Sequence, residues 1–335
     1  MPAQQKPFDQ LDYTPELISS LLSASSAIGA LDARVSASPM AAAWKRRASW
    51  TGYAAALRLQ NEPFEEIDVI AHLCDFTLPA REKGPTTGEV FTEYEMWSHT
   101  VLGDAPRAPL RGEGEGALFA PDVPAILRAL TTVDLAARAD MSIRPWLALP
   151  SILSELLLTS SSLPCLVIGD HGQRFAREPR MVVLRRLLAQ LRSAAEEGVE
   201  RLNRLEQSRA LFAAAIRDVQ RPGALPKLAA LFSHEPALAP IRVARVLSMS
   251  RAGAGKLLGR AAELGLVREL SGRDTWKVFL ARDIVQSIGL EPAERGRPKK
   301  IDPYDHDLAP ALTAFDEEMA EIDALLSESS GRKCS

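Results

Sequence analysis

Cysteine is scarce in this chain. Cys74, Cys165 and Cys334 are odd in number and far apart, which excludes a disulfide framework and a zinc-binding pattern. The histidines are equally dispersed. His72, His99, His171, His234 and His306 show no metal-ligand spacing, so each reads as an ordinary polar or partly buried residue and no metal is expected. No apolar run is long enough to span a bilayer, and the first residues lack the charged-then-apolar order of a secretory signal. The expectation is a cytoplasmic protein with no membrane partner. Convincing strands are few, and a glycine-rich loop able to cradle phosphate is missing. No cofactor and no catalytic residue is therefore expected.

Charge of one sign does not dominate the whole. The formal net charge is -3 over 335 residues, so bulk electrostatics gives no affinity for nucleic acid. The balance is uneven along the chain, however. Between Ile241 and Lys300 there are thirteen Arg and Lys against six Asp and Glu, a surplus of +7, which leaves -10 on the remainder. A basic module on an acidic body is the asymmetry expected when one face alone meets phosphate.

What the chain has in quantity is Ala and Leu at helical spacing. The periodicity predicts helices over Leu11 to Ile28 (Leu17, Leu21, Leu22 and Ile28 inward), Pro39 to Leu59 (with Trp44, Trp50 and Tyr53), Phe64 to Phe76, Val90 to Leu102, Val123 to Ala139 and Trp146 to Leu158. Glu82 to Gly88 and Ala105 to Asp122 have loop composition. Trp44, Trp50, Trp97 and Trp146 are read as core. Met181 to Val219 forms one very long helix or two broken near Gly198. Arg221 to Pro226 is a hinge, and Leu228, Leu231 and Phe232 open the next domain. Pro292 to Pro303 is a linker. Leu308, Leu312, Phe315, Met319, Ile322 and Leu326 make one stripe on a terminal helix, a spacing that suits either a coiled-coil seam or packing onto the body. The expected domains are a helical body over 1–220, a second domain over 221–290, a basic linker over 291–303, and a terminal helix and tail over 304–335.

The segment from Ala239 to Leu280 is the most informative. Ile241, Val243, Ala244 and Leu247 have the spacing of a short helix with one buried face. Ser248, Met249 and Ser250 break it, and Ser250 is a good N-cap for the next helix. That helix, Arg251 to Leu264, turns Ala254, Leu257, Leu258, Ala261 and Leu264 inward, and Gly265 is placed to end it. Val267 to Leu270 and Trp276 to Leu280 read as two strands joined by Ser271-Gly272-Arg273-Asp274. Two helices about a tight turn followed by a two-stranded wing form a winged helix-turn-helix. Ala252, Gly253, Ala254 and Gly255 let the second helix sit deep in a major groove. Arg251, Lys256 and Arg260 reach base edges or phosphates, and Arg273 and Lys277 on the wing meet the backbone. Winged helices also dock proteins, and that alternative stays open.

Beyond the wing, Arg295-Gly296-Arg297-Pro298-Lys299-Lys300 resembles the AT-hook core, in which an extended Arg-Gly-Arg lies in the narrow minor groove of A·T tracts. Glu294 stands where the motif has Pro. A solvated basic linker is the alternative.

The C-terminal portion, Gly198 to about Ile288, resembles the tail of Fic-family proteins, many of which end in a winged helix. Its clearest parts are Val199-Glu200-Arg201-Leu202, Leu264-Gly265-Leu266-Val267-Arg268-Glu269 and Ser271-Gly272-Arg273. Ser25-Ser26-Ala27-Ile28-Gly29 is similar to the family's Ser-rich inhibitory motif but lacks the Glu before the Gly. The family's AMP-transfer signature, His-x-Phe-x-acid-Gly-Asn-Gly-Arg-x-x-Arg, is missing. Its nearest counterpart, Gly169-Asp170-His171-Gly172-Gln173-Arg174-Phe175-Ala176-Arg177-Glu178-Pro179-Arg180, has no Asn and no Gly-x-Gly turn. The resemblance implies a Fic-like helical scaffold without the enzyme. The chain as a whole also resembles an uncharacterised family of alphaproteobacterial helix-turn-helix proteins, often carried on plasmids.

The expected fold is mainly α: a degenerate Fic-like helical body, a C-terminal winged helix-turn-helix and a terminal helix. The leading expectation is a nucleoid-associated transcriptional regulator that binds double-stranded, possibly A·T-rich DNA as a homodimer. The alternatives are a diverged Fic-type nucleotidyl transferase with Asp170, His171 and Arg174 as its candidates, and a non-enzymatic interaction scaffold.

Overall fold

The computed structural model describes residues 7–8, 11–62, 64–74, 76, 87–103, 105–110, 122–175, 178–270, 277–287 and 309–331, the side chains of 87–90 and 327–331 aside. The fold is mainly α, with a single small sheet among the described residues. The chain divides into two compact units: Met1–Ala41, Lys45–Val69 and Lys83–Arg201 form the first, and Ala42–Trp44, Ile70–Glu82 and Leu202–Ser335 the second.

The first unit begins with α1 (Pro15–Ala37). Thr14 caps it by accepting from the Leu17 amide at 3.3 Å, and Pro15 and Glu16 suit its first turn. This cap explains why the helix starts at Pro15 rather than at Leu11. Leu17, Leu21, Ala24, Ile28, Leu31 and Val35 form its buried face. Leu22, expected inward, lies on the opposite side and is 67% exposed. Next come α2 (Ala41–Leu59), α3 (Glu66–Leu73), α4 (Thr87–Val101), α5 (Ala125–Ala139), α6 (Arg144–Glu155) and a 3-10 turn at Pro164–Leu166.

Aromatic side chains hold α2 against α4. The Tyr53 ring lies 5.2 Å from that of Tyr94 and 6.0 Å from that of Phe91, and the Ser49 and Tyr94 hydroxyls are 3.0 Å apart. The Trp97 indole N–H donates to the Leu147 carbonyl at 2.7 Å, joining α4 to α6. Trp44, Trp50, Trp97 and Trp146 are all buried, as core residues of this size should be.

The long helix α8 (Arg180–Arg217) is continuous through Gly198. This resolves the choice left open by the sequence. A Cβ at Gly198 would stand 3.0 Å from a Leu31 methyl and 3.1 Å from the Cys165 sulfur, so the glycine serves close packing and not a break. Burial pushes the Cys165 thiol up to about 12, which keeps it neutral.

The second unit contains the end of α8, then α9 (Leu225–His234), β1 (Ala237–Leu238), α10 (Pro240–Val246), α11 (Arg251–Glu263), β2 (Val267–Glu269), β3 (Phe279–Ala281), α12 (Arg282–Ser287) and α13 (Ala309–Gly331). The sheet order is β1-β3-β2, antiparallel throughout, with Val267 opposite Ala281 and Ala237 opposite Leu280. The two-residue β1 was not expected, because a strand so short leaves no alternation to detect. The apolar stripe of α13, Leu312, Phe315, Met319, Ile322 and Leu326, is buried, and the helix packs on α9. Asp316 pairs with Arg209 and Glu321 with Lys227, at 2.5 and 2.6 Å. Of the two uses foreseen for this stripe, packing within the chain is the one observed.

Candidate nucleic-acid interface

The turn between α10 and α11 is built by local backbone chemistry. Ser248 adopts φ 49°, the left-handed conformation that ends α10, and the Met249 amide donates back to the Ala244 carbonyl at 3.0 Å. Ser250 then caps α11, accepting from the Gly253 amide at 3.1 Å. A Cβ at Gly253 would sit 3.1 Å from that same Ser250 oxygen, so Gly253 keeps the cap uncrowded.

The far end of α11 is closed as well. Gly265 has φ 70°, its amide donates to the Ala262 carbonyl, and the Leu266 amide donates to that of Ala261 at 3.0 Å. That pair of bonds is a Schellman motif, which requires a left-handed residue.

α11 packs on α10 and β2 through Ala254, Leu258 and Ala261. Two expected inward residues are not buried: Leu264 is exposed, and Leu257 is half-buried. Ile241 on α10 is 51% exposed, and Val243 alone of the expected four is fully buried. Arg242 is anchored by two hydrogen bonds to the Glu235 carboxylate, at 2.8 and 2.5 Å.

The outward side of α11 carries Arg251, Ala252, Gly255, Lys256 and Gly259. Arg251, Lys256 and neighbouring Arg245 of α10 are exposed, and none has an ion-pair partner among the described residues. A Cβ at Gly255 or Gly259 would meet nothing within 4 Å. The first turn of α11 holds no acid and begins instead with Arg251, so nothing in the helix offsets the positive end of its dipole.

Other residues expected at the interface are placed differently. Arg260 is half-buried and donates to the Arg221 carbonyl at 3.0 Å, a contact that ties one of its N–H groups to the approach to α9. Lys277 lies 3.3 Å from Glu269, an ion pair that offsets its charge. Arg273, Arg295, Arg297, Lys299 and Lys300 lie outside the described residues, as do the turn over 271–276 and the whole AT-hook-like segment.

The residues weighed for nucleotidyl transfer belong to a different place, α7 (His171–Phe175) in the first unit. Asp170 accepts from the Gly172 amide at 2.6 Å and pairs with Arg186 at 2.9 Å. Arg174 donates to the Ser142 carbonyl at 2.5 Å and lies over the Trp146 ring. His171 is exposed and stacks on Phe175. Asp170 and Arg174 thus have structural work in this arrangement, capping a short helix and covering an indole.

Among the described residues no His, Cys, Asp and Glu come together in a group able to hold a metal, and no helix is long and apolar enough to cross a membrane. No protein-family model matches the chain, and no curated protein matches it.

Proposed function

We propose that the second unit is a winged helix-turn-helix that binds double-stranded DNA, and that the protein is a transcriptional regulator. The observation that carries this is the outward side of α11. Arg251 and Lys256 stand exposed, with no ion-pair partner among the described residues, on a capped helix whose remaining outward residues are Ala252, Gly255 and Gly259. Each glycine inside a helix costs about 0.8–1.0 kcal/mol relative to Ala. Packing among the described residues gives no reason for that cost at Gly255 or Gly259. A base-pair edge or sugar-phosphate strand approaching the helix does. The uncompensated positive end of α11 suits a phosphate for the same reason.

In this arrangement α11 enters the major groove, Arg251 and Lys256 reach bases or phosphates, and Arg245 lies beside the backbone at the turn. β2 and β3 form the stem of the wing, Arg273 of the segment between them meets the backbone, and Arg295 and Arg297 follow an adjacent A·T-rich minor groove. The Fic-like scaffold and the plasmid-type helix-turn-helix family remain the resemblances that agree with a helical body leading through α8 into such a module.

Selection of duplex DNA from a random pool with the purified full-length chain tests the proposal. An enriched site is expected, bound about tenfold or more weakly by Arg251→Ala and by Lys256→Ala, since a good base contact contributes about 1–3 kcal/mol. Absence of enrichment, with the protein folded by circular dichroism, would contradict it.

A further inference from the structure

α1 turns an almost uncharged face to solvent. Opposite its buried side, at the helical period, stand Ile18, Leu22, Ser26, Gly29 and Ala33. The helix has three charged residues: Glu16 in its first turn, Arg34 in its last, and Asp32, which accepts from the Ser160 amide and hydroxyl beside the helix. Ile18 is 44% exposed and Leu22 67% exposed. A Cβ at Gly29 would meet nothing within 4 Å, so no contact among the described residues calls for glycine in the middle of this helix. A large apolar residue and a vacant position share one face, one turn either side of Ser26.

We infer that this face binds a second copy of the same chain, α1 against α1, antiparallel across a two-fold axis close to Ser26. That pairing sets Leu22 of one copy over Gly29 of the other and Ile18 over Ala33. Each exposed side chain thereby enters a gap left by a small residue, as close helix packing requires. The charges select the direction. Glu16 and Arg34 lie 18 residues, or about five turns, apart, hence on the same flank of the helix. A two-fold axis across an antiparallel pair keeps each flank together, so Glu16 of each copy meets Arg34 of the other. A parallel pair would bring like charges to the same level. The contact is isologous and closes at two copies.

A strained residue precedes the segment that contacts the end of α1. Leu157 is 89% exposed and holds φ 57°, a conformation that disfavours leucine. It lies three residues before Ser160, which is also within 3.1 Å of the Ser36 hydroxyl. In the antiparallel pair this end of α1 receives the first turns of the other copy, including Ile18. The terminal-helix stripe on α13 is buried and offers no competing seam.

The inference is independent of DNA and is tested without it. A helix of 23 residues is about 34 Å long, and one such contact falls below the ~800 Å² per partner of a standard interface. Self-association in the micromolar range is therefore expected. Sedimentation equilibrium of the full chain should show a concentration-dependent dimer, with Leu22→Glu raising its dissociation constant at least tenfold at an unchanged melting temperature. A wild-type protein that stays monomeric to about 100 µM, or a dimer indifferent to Leu22→Glu, would overturn it. Direction is read by oxidative cross-linking in a Cys74→Ser, Cys334→Ser background. Ser26→Cys should cross-link to itself, and Ser19→Cys should not. Equal cross-linking of both would exclude the antiparallel pair.

Discussion

Ser250 shows how one side chain can be legible in sequence while its neighbours are not. Its cap on α11 depends on an amide three residues away, so the local order Ser-Arg-Ala-Gly is enough to foresee it. Ser250→Ala is expected to cost about 1 kcal/mol, read as a lower melting temperature of the intact protein. It should also weaken DNA binding less than Arg251→Ala does, because in the proposed complex the hydroxyl only positions the helix while the guanidinium would meet the DNA. Arg260 and Lys277 looked equivalent to Arg251 in the sequence. Their partners are the Arg221 carbonyl, 39 residues back, and Glu269 across a strand pair. Neither contact leaves a mark in local spacing, so cations of identical chemistry could not be told apart. Asp170 and Arg174 were misleading for the same reason: their partners Arg186 and Ser142 are remote in sequence.

Although α1 runs from Pro15 to Ala37 where Leu11 to Ile28 was expected, helices with a full buried stripe were foreseen as helices at the scale of elements, because a period of 3.6 repeats several times within each. α8 and α13 are examples. The two-residue β1 was not, and the short α10 was foreseen as a helix but not in its buried face, since so few residues contain too little pattern to fix one. Ile241 is the visible consequence. Glycines were ambiguous for a further reason: a helical glycine serves close packing in one place and exposure in another. On α2, a Cβ at Gly52 would collide with the Pro164 carbonyl. Gly52→Ala is therefore expected to destabilise by about 1–3 kcal/mol or more through overpacking. Gly255→Ala on α11 should instead stabilise by about 0.5–1 kcal/mol from helix propensity. Thermal denaturation of the two variants should move in opposite directions, and a shift of the same sign would undo this account of α11's open side.

The acidic helix α13 gives a pH-dependent prediction. Burial holds the Glu318 carboxyl above the ordinary carboxylate range, against the attraction of Lys227, and its Oε2 is buried with no hydrogen-bond partner among the described residues. A carboxyl whose folded value is raised binds more protons in the folded state. Its penalty therefore grows as pH rises through that window and disappears as pH falls below it. Glu318→Gln should raise the melting temperature at pH 7.5, and the gain should vanish near pH 4. A gain that persists unchanged in acid would contradict the assignment to Glu318.

On the scale of the whole molecule, charge separates the parts more clearly than composition does. The surplus of +7 between Ile241 and Lys300 sits in a chain whose net charge is -3. A self-pairing α1 together with one DNA-binding module per copy predicts two half-sites related by a two-fold axis, spaced by one helical turn or a multiple. Protection of a single asymmetric half-site by the dimer would argue against that combination.

The most direct test of the central claim is the affinity of the full-length protein for duplex DNA across a salt series, A·T-rich and random sequences side by side, compared with the Arg251→Ala, Lys256→Ala double variant. The account predicts sequence-dependent binding at nanomolar concentrations that weakens steeply with salt. The double variant should bind far more weakly, with a log–log salt slope shallower by up to about 1.8 if both cations meet phosphate. Failure of the wild-type protein to bind at low salt, or a double variant indistinguishable from it, would contradict the claim that α11 is a DNA-reading helix.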